Sequence, residues 1–150
     1  MKKTVVAAAV AVALGAIGGA ALAQVKPDIL VKQRQSAMTL IGKYFGPLGG
    51  MAQGRVPFNK DVVQRNAGYL EVLSKMPWDG FDPSTKDEKT KALPEVYTNQ
   101  AKFKEAADRM QSEVAKLAQV SKSGDEGAVK AQLGAVGKSC GNCHENFRQK

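Results

Sequence analysis

Apolar residues recur every three or four positions in four separate stretches of this chain, the spacing that places side chains on one face of a helix. The first stretch begins at Pro27-Asp28, since Pro is tolerated in a first helical turn. Gly46-Pro47 is expected to kink or end this helix, so its C-terminal boundary stays open. The buried face is predicted to carry Leu30, Arg34, Ala37, Met38, Ile41, Phe45 and Leu48.

Three more helices are predicted after a turn at residues 54–57. Asn59 is the expected N-cap of the second helix, which stops before Met76-Pro77. Residues 78–93 are rich in Asp, Lys, Pro and Gly, which predicts a long loop. Pro94-Glu95 opens the third helix, and Gly124-Asp125 separates it from the fourth. The three apolar stripes are Val63, Ala67, Leu70 and Leu73; Phe103, Ala107, Met110, Val114 and Leu117; and Val129, Leu133, Val136, Cys140, His144 and Phe147.

These stretches define the expected fold class. No strand-like alternation and no internal repeat interrupts them, and two of the three connections are short, so neighbouring helices should run antiparallel. Four helices that must each bury a stripe predict an all-α, up-down-up-down four-helix bundle. An α-solenoid is the alternative, but it requires a sequence repeat that this chain lacks.

The N-terminus has the pattern of a secretory signal peptide. Lys2 and Lys3 precede an apolar run over residues 5–17, and Ala21-Leu22-Ala23 forms an A-x-A cleavage pattern. A membrane span is the alternative, because the run approaches the length that a bilayer needs, but it is mostly Ala and Gly-rich near its end. We therefore predict a cleaved signal over 1–23, a mature domain over 24–150, a periplasmic location and no membrane anchor after cleavage.

Composition narrows the chemistry. With 150 residues, the chain suits one domain, and one His and two Cys supply neither a structural zinc site nor a conventional catalytic triad. The formal net charge is +8, yet the basic residues are scattered and no basic stripe is interleaved with aromatics. Nucleic-acid binding therefore has little support.

The segment Cys140-Gly141-Asn142-Cys143-His144 has the C-x-x-C-H order by which c-type haem is attached. Positions three and four apart share a helix face about one 5.4 Å turn long, so both thiols can reach the vinyl groups of one haem and the imidazole can reach its iron. We predict one covalent haem c. A thiol–disulfide oxidoreductase would need a strand–helix context, a zinc knuckle would need more ligands, and a structural disulfide would leave His144 unexplained.

The second axial position of the iron decides the function. His144 is the chain's one His, so two His ligands from one chain are impossible. A Met thioether would complete a low-spin electron carrier, and the candidates are Met38, Met51, Met76 and Met110, each of which could instead be core filling. If none coordinates, the iron keeps an open site for a small gas.

Over the whole mature region, the chain resembles the class II c-type cytochromes, most closely the cytochrome c′ family. The resemblance rests on haem attachment near the C-terminus, on Arg34-Gln35 in the first helix, on Pro77-Trp78 with Phe81, and on the segment 140–148. It implies that Cys140 and Cys143 form thioethers, that His144 is the proximal ligand and that Arg148 lies beside the proximal face. A solvated terminal Arg is the alternative for Arg148.

By the same resemblance, Arg34 and Gln35 lie near the haem and its propionates, although an ordinary surface pair is the alternative. Met38 matches the position facing the distal side of the iron. In cytochrome c′ a bulky apolar residue there leaves the haem five-coordinate and high-spin, whereas in a related low-spin subgroup a Met there is the sixth ligand. The segment 77–81 looks more like cytochrome c′.

The expected function is that of a periplasmic haem protein, not an enzyme, with five-coordinate iron that takes part in electron transfer or in binding NO and CO. The alternative is a low-spin carrier ligated by Met38, and a haem-free thiol–disulfide enzyme is a third possibility. The resemblance also implies a homodimer formed by the first two helices, with which Tyr44-Phe45 and Leu48 are compatible. Electron transfer would also involve a redox partner protein.

Overall fold

A computed structural model describes residues 25–150. The four long helices are α1 (Pro27–Ala52), α2 (Lys60–Leu73), α4 (Gln100–Val120) and α5 (Glu126–Phe147), and α3 (Glu95–Thr98) is a single turn. Two 3-10 turns, Trp78–Phe81 and Pro83–Thr85, lie in the predicted loop, and the described residues contain no strand. Within the same range, no helix is both long and apolar enough to cross a bilayer. The predicted signal peptide lies outside the described residues.

The long helices form a closed ring of neighbours. Helix α1 packs on α2 and α5, and α4 packs on the same two helices, as an up-down-up-down bundle requires. The predicted all-α four-helix bundle is therefore confirmed.

The N-cap predicted at Asn59 is present, and Asp125 caps α5 in the same way. The amide of Val62 donates to Asn59 Oδ1 at 3.0 Å, and the amide of Ala128 donates to Asp125 Oδ1 at 2.7 Å. Each bond satisfies one of the amide groups that a helix start leaves without a partner. The turn before α5 also needs Gly124, whose φ of +72° lies in the left-handed region.

Helix α1 continues through Pro47 to Ala52 and so extends beyond the possible end at Gly46-Pro47. Pro47 has no N–H to donate back into the helix, which weakens the ladder at this point. The buried side chain of Asn66 lies beside this weak turn and donates from Nδ2 to the carbonyl of Tyr44 at 3.1 Å. Leu48, one residue after the proline, has no exposed surface. Tertiary contacts therefore outweigh the local preference for a break.

The third predicted helix begins at Glu95, as expected from Pro94-Glu95, but it is divided instead of continuous. The chain makes the single turn α3 and breaks at Asn99, whose φ of −126° and ψ of 53° are not helical, and α4 begins at Gln100. The break leaves Val96 buried and directs the hydroxyl of Tyr97 towards Arg34. Periodicity alone does not report such a contact, which explains the error.

The fully buried residues Leu48, Leu117 and Val129 lie towards one end of the bundle, where the C-terminal ends of α1 and α4 meet the N-terminal ends of α2 and α5. Gln132 of α5 crosses to α4 there and donates from Nε2 to the carbonyl of Glu113 at 2.9 Å and to its carboxylate at 2.7 Å. The core as a whole consists of Leu48, Met51, Val63, Ala67, Leu70, Met110, Val114, Leu117, Val129, Leu133 and Val136.

Candidate cofactor site

A cavity of about 690 Å³ occupies the opposite end of the bundle, between α1, α4 and α5. The segment from Trp78 to Ala92 closes one side of it, and most of its lining is apolar. The volume lies within the range of about 300–1,000 Å³ that is typical of small-molecule and cofactor sites. The lining brings together all seven residues predicted for the site: Arg34, Gln35, Met38, Cys140, Cys143, His144 and Arg148.

The C-x-x-C-H segment lies in the last turns of α5, with two half-buried free thiols. Burial raises the pKa of Cys140 and of Cys143, and the charge of Cys140 adds to the effect on Cys143. A thiol–disulfide oxidoreductase requires the opposite, a lowered thiol pKa. Partial burial of the imidazole, with a smaller contribution from the charge of Arg148, lowers the pKa of His144. The neutral imidazole, which is the form that binds a metal, is therefore favoured.

A short backbone pairing holds the chain that follows α5. Arg148 is extended and forms a bridge with Ala92. The amide of Leu93 donates to the carbonyl of Phe147 at 3.0 Å, and the amide of Gln149 donates to the carbonyl of Lys91 at 2.8 Å. The side chain of Arg148 is exposed, as for a terminal arginine, yet this pairing fixes its backbone at the rim of the cavity.

Arg34 is buried, with 3% of its surface exposed, so the surface alternative does not hold for Arg34, whereas Gln35 is exposed. Its guanidinium stacks 4.5 Å above the ring of Phe81. The hydrogen bonds go to neutral oxygens: the carbonyl of Gly80, Thr85 Oγ1 at 2.9 Å, Tyr97 OH at 3.2 Å and Thr90 Oγ1 at 3.2 Å. No carboxylate lies among these partners, so the charge is solvated by dipoles alone.

Gly80 permits this contact because the loop backbone approaches α1 closely. A Cβ at that position would lie 2.6 Å from Arg34 Cβ and 2.7 Å from the carbonyl oxygen of Leu30. Gly80 belongs to the segment 77–81 that carries the resemblance, but none of Gly80, Thr85, Thr90 and Tyr97 was predicted as a site residue. They lie in or beside the irregular segment, where no period marks a buried position.

Four aromatic rings form a wall of the cavity. Phe103 packs edge-on against Phe81 at 4.9 Å and against Phe147 at 5.2 Å between ring centroids. Trp78 packs against Phe81 at 6.2 Å and donates from Nε1 to the carbonyl of Ser74 at 2.7 Å. Phe103 and Phe147 were predicted as core residues, and the structure places them beside the cavity instead of deep in the packed core.

Of the four methionines weighed as iron ligands, two line the cavity. Met38 of α1 is half-buried there, and Met110 of α4 is 6% exposed. Met51 belongs to the core and does not line the cavity, and Met76 is 53% exposed. The structure therefore leaves Met38 and Met110 as the methionines that face a bound cofactor.

The charged groups that line the cavity are all cationic, and none of its described lining residues is an acid. Arg34, Lys91 and Arg148 supply these charges. An apolar volume of this size, two thiols and a neutral imidazole on one helix face, and cations around them fit a porphyrin with carboxylate side chains.

A four-helix bundle with a cavity of this kind and C-x-x-C-H on its last helix defines the class of helical c-type haem proteins. Residues 29–148 match the family model described as Cytochrome C'. The chain belongs to the cytochrome c′ family, and this membership makes it a c-type haem protein.

Individual relatives agree with this assignment. The cytochrome c′ of Rubrivivax gelatinosus is 41% identical over 126 residues, which cover 83% of this chain and 98% of the relative. A crystal structure of cytochrome c′ from that organism superposes with a TM-score of 0.79, at 40% identity over 83% of this chain and 98% of the other. A nitric oxide complex of a leucine variant of the Alcaligenes xylosoxidans cytochrome c′ has a TM-score of 0.77, at 36% identity, and covers 83% and 98%.

A more distant relative has a different name. The cytochrome c-554 of Cereibacter sphaeroides is 28% identical over 148 residues, which cover 95% of this chain and 96% of the relative.

Proposed function

We propose that this protein is a periplasmic haem protein, not an enzyme, that holds one haem c and binds NO and CO at an open iron position, with electron transfer as a second role. One observation carries the proposal: a single apolar cavity is lined both by Cys140, Cys143 and His144 of α5 and by Met38 of α1. Residues that attach a haem therefore lie across the cavity from a bulky apolar side chain.

The residues of α5 have separate tasks. Cys140 and Cys143 would hold the haem through two thioether bonds, each thiol adding its sulfur to one carbon of a vinyl group and its hydrogen to the other. His144 provides a neutral imidazole for the iron, which supplies the gas binding and the ferric–ferrous chemistry. Arg148 adds positive charge beside His144. On α1, Arg34 and Gln35 line the same cavity, where they would add a cation and an amide beside the carboxylates of the bound group.

The comparisons support Met38 as a shield instead of a ligand. A solved relative is a nitric oxide complex. The alternative is a low-spin electron carrier in which Met38 is the sixth ligand. Met110 is the other methionine lining the cavity, so its variant belongs in the same test.

The absorption spectrum of the holoprotein tests this choice in the oxidised, dithionite-reduced and reduced CO-treated states. A broad high-spin Soret band that shifts with CO is expected. Met38→Ala should then speed CO association while the spectrum stays high-spin, and the exposed Met76→Ala should change nothing. A sharp reduced α band unmoved by CO, and lost in Met38→Ala or Met110→Ala, would establish the low-spin alternative. A haem-free, redox-active chain would establish the thiol–disulfide enzyme.

We also infer a homodimer formed by α1 and α2. Leu48 is fully buried and Phe45 lines the cavity, so neither can form the contact considered in the sequence analysis. Leu40, Tyr69 and Val72 are exposed instead, and the ring of Tyr69 packs on that of Tyr44 at 4.8 Å. Sedimentation of the holoprotein should show a dimer that Val72→Asp dissociates, and a monomer at micromolar concentration would refute it.

The periplasmic location rests on the N-terminal signal pattern. Mass spectrometry of protein from a periplasmic fraction should give a chain that begins at Gln24 and carries one haem. Recovery of the intact N-terminus from the cytoplasm would contradict the proposal.

A further inference from the structure

The cavity opens to solvent where its lining residues are themselves exposed. On α1 these residues are Gln35, Thr39 and Gly42, and near the end of α5 they are Lys91, His144 and Arg148. The mouth therefore lies between α1 and the C-terminal end of α5. In the proposed function the haem is held by α5, so the α1 rim borders the side of the cavity that Met38 occupies.

Gly42 is the residue on this rim that has no side chain. The other lining residues of α1 carry side chains, namely Arg34, Gln35, Met38, Thr39, Ile41 and Phe45. A Cβ built at Gly42 would meet no atom within 4 Å, so open space adjoins the backbone there. Gly42 follows Met38 by one helical turn, which places the two on the same face.

We propose that small neutral gases reach the Met38 side of the cavity over the backbone of Gly42, and that the missing side chain at this position sets the size of ligand that enters. The proposal rests on the gas binding proposed above. Backbone N–H and C=O groups within a helix are already paired, so a neutral diatomic molecule crosses Gly42 without displacing a side chain or breaking a hydrogen bond. A side chain at this position would narrow the same gap.

Flash photolysis of CO from the reduced holoprotein tests this route with a matched pair of variants. Gly42→Leu blocks the gap. Gly46→Leu is the control, because Gly46 lies one turn further along α1, is equally exposed and free of neighbours within 4 Å, and does not line the cavity. Gly42→Leu raises the helix propensity at its position. At position 46 a Cβ would crowd the ring of Pro47, so the folding of the control has to be shown. Circular dichroism and the Soret band check that both variants remain folded and loaded.

In Gly42→Leu, the association and dissociation rates of CO should both fall about tenfold, the scale on which steric crowding discriminates ligands. The affinity should stay unchanged, since a barrier to passage slows both directions equally. Ethyl isocyanide should be slowed more than CO. Gly46→Leu should match the wild type in every rate.

Three results would overturn the inference. Unchanged CO rates in Gly42→Leu would place access elsewhere, such as beside Lys91 and His144. A changed affinity with unchanged association would mean that position 42 touches the bound gas. Equal slowing of CO and ethyl isocyanide would remove the role in size selection. Failure of the wild type to bind CO would refute the proposed function itself, and it would be seen before either variant is made.

Discussion

Aliphatic side chains from all four long helices fill one end of the bundle, here called the packed end, where Leu48, Val63, Leu117 and Val129 are almost completely buried. At the other end, the cavity end, the same helices enclose about 690 Å³ lined by residues such as Arg34 and Cys140. The packed end is stabilised by its own side chains. The cavity end encloses a volume that a second molecule, the cofactor, must fill.

The chain between the long helices differs in the same way. Near the packed end, α1 joins α2 and α4 joins α5 through short turns closed by the caps Asn59 and Asp125. Near the cavity end, residues 74–99 form 3-10 turns, a single helical turn and a buried polar network around Arg34. Irregular chain is needed there because regular helices in contact would close the cavity.

The largest effect that separates the two ends should come from the double variant Cys140→Ala/Cys143→Ala. A cavity lowers the free energy of unfolding by about 24 cal/mol per Å³. If even half of this cavity were left empty, the loss would be on the order of 8 kcal/mol. This cost is comparable to the whole stability of a typical domain, roughly 5–15 kcal/mol. Without covalent haem, the cavity end should lose its amide protection while the packed end keeps part of its own.

Hydrogen exchange of the haem-free double variant measures this difference. Amides of residues 34–45 and 140–147 should exchange fastest among the long helices, and those around Leu117 and Leu133 slowest. Each single cysteine variant retains one thioether and serves as the control. Equal protection at both ends of the haem-free chain would show that the cavity end is stable without its cofactor.

Replacing Arg34 should have the next largest effect, because its buried charge bonds only to neutral oxygens. Arg34→Met leaves Thr85, Thr90, Tyr97 and the carbonyl of Gly80 without this donor, which should lower the free energy of unfolding by roughly 3 kcal/mol. Denaturant titration of the holoprotein measures the loss. Loss of a cation near the iron should also lower the reduction potential, since positive charge favours the reduced form.

Arg34→Lys separates charge from shape. The lysine keeps the positive charge but lacks the planar fork, so stability should fall while the reduction potential changes little. If Arg34→Met leaves the potential unchanged, the guanidinium does not act on the haem and serves only to join α1 to the loop.

The two ends also differ in how far the sequence could predict them. Stripe residues such as Val63, Ala67 and Val129 identify the packed end, because a regular helix converts spacing directly into burial. The C-x-x-C-H motif and the resemblance identify residues that the structure brings around one cavity. The buried network of Thr85 and Tyr97 could not be predicted, since hydroxyl groups in an irregular segment have no period and their burial depends on tertiary contact.

A smaller effect is expected from a methyl group added at the closest approach between loop and helix. Gly80→Ala would place its Cβ 2.6 Å from Arg34 Cβ, so the loop must shift, at a cost of about 1–3 kcal/mol. Gly68→Ala is the matched control in α2, where a Cβ meets nothing within 4 Å, and it should stabilise the protein by about 0.5–1 kcal/mol. Thermal unfolding of both holoprotein variants should shift in opposite directions. A neutral Gly80→Ala would mean that the loop adapts freely and does not fix Arg34.

The smallest effect should arise from Glu113, whose contacts with α5 lie towards the packed end. Hydrogen bonds, first from Lys116 and then from Gln132, lower the pKa of the Glu113 carboxyl from its ordinary value of 4.5. Because the carboxyl pKa is lower in the folded chain, the ionised carboxylate stabilises the fold at pH values above about 4.5. This stabilisation is lost as the pH falls from about 4.5 through the lower pKa of the folded state. Glu113→Gln keeps the shape but removes the charge, so its stability should depend less on pH over this range.

Glu105→Gln removes a carboxylate paired with Arg109 within α4, without touching α5, and is the control. Acid titration followed by circular dichroism measures the three curves. If Glu113→Gln and the wild type lose stability in parallel below that pH, the bond to Gln132 adds nothing to the packed end, whose stability then rests on its aliphatic contacts alone.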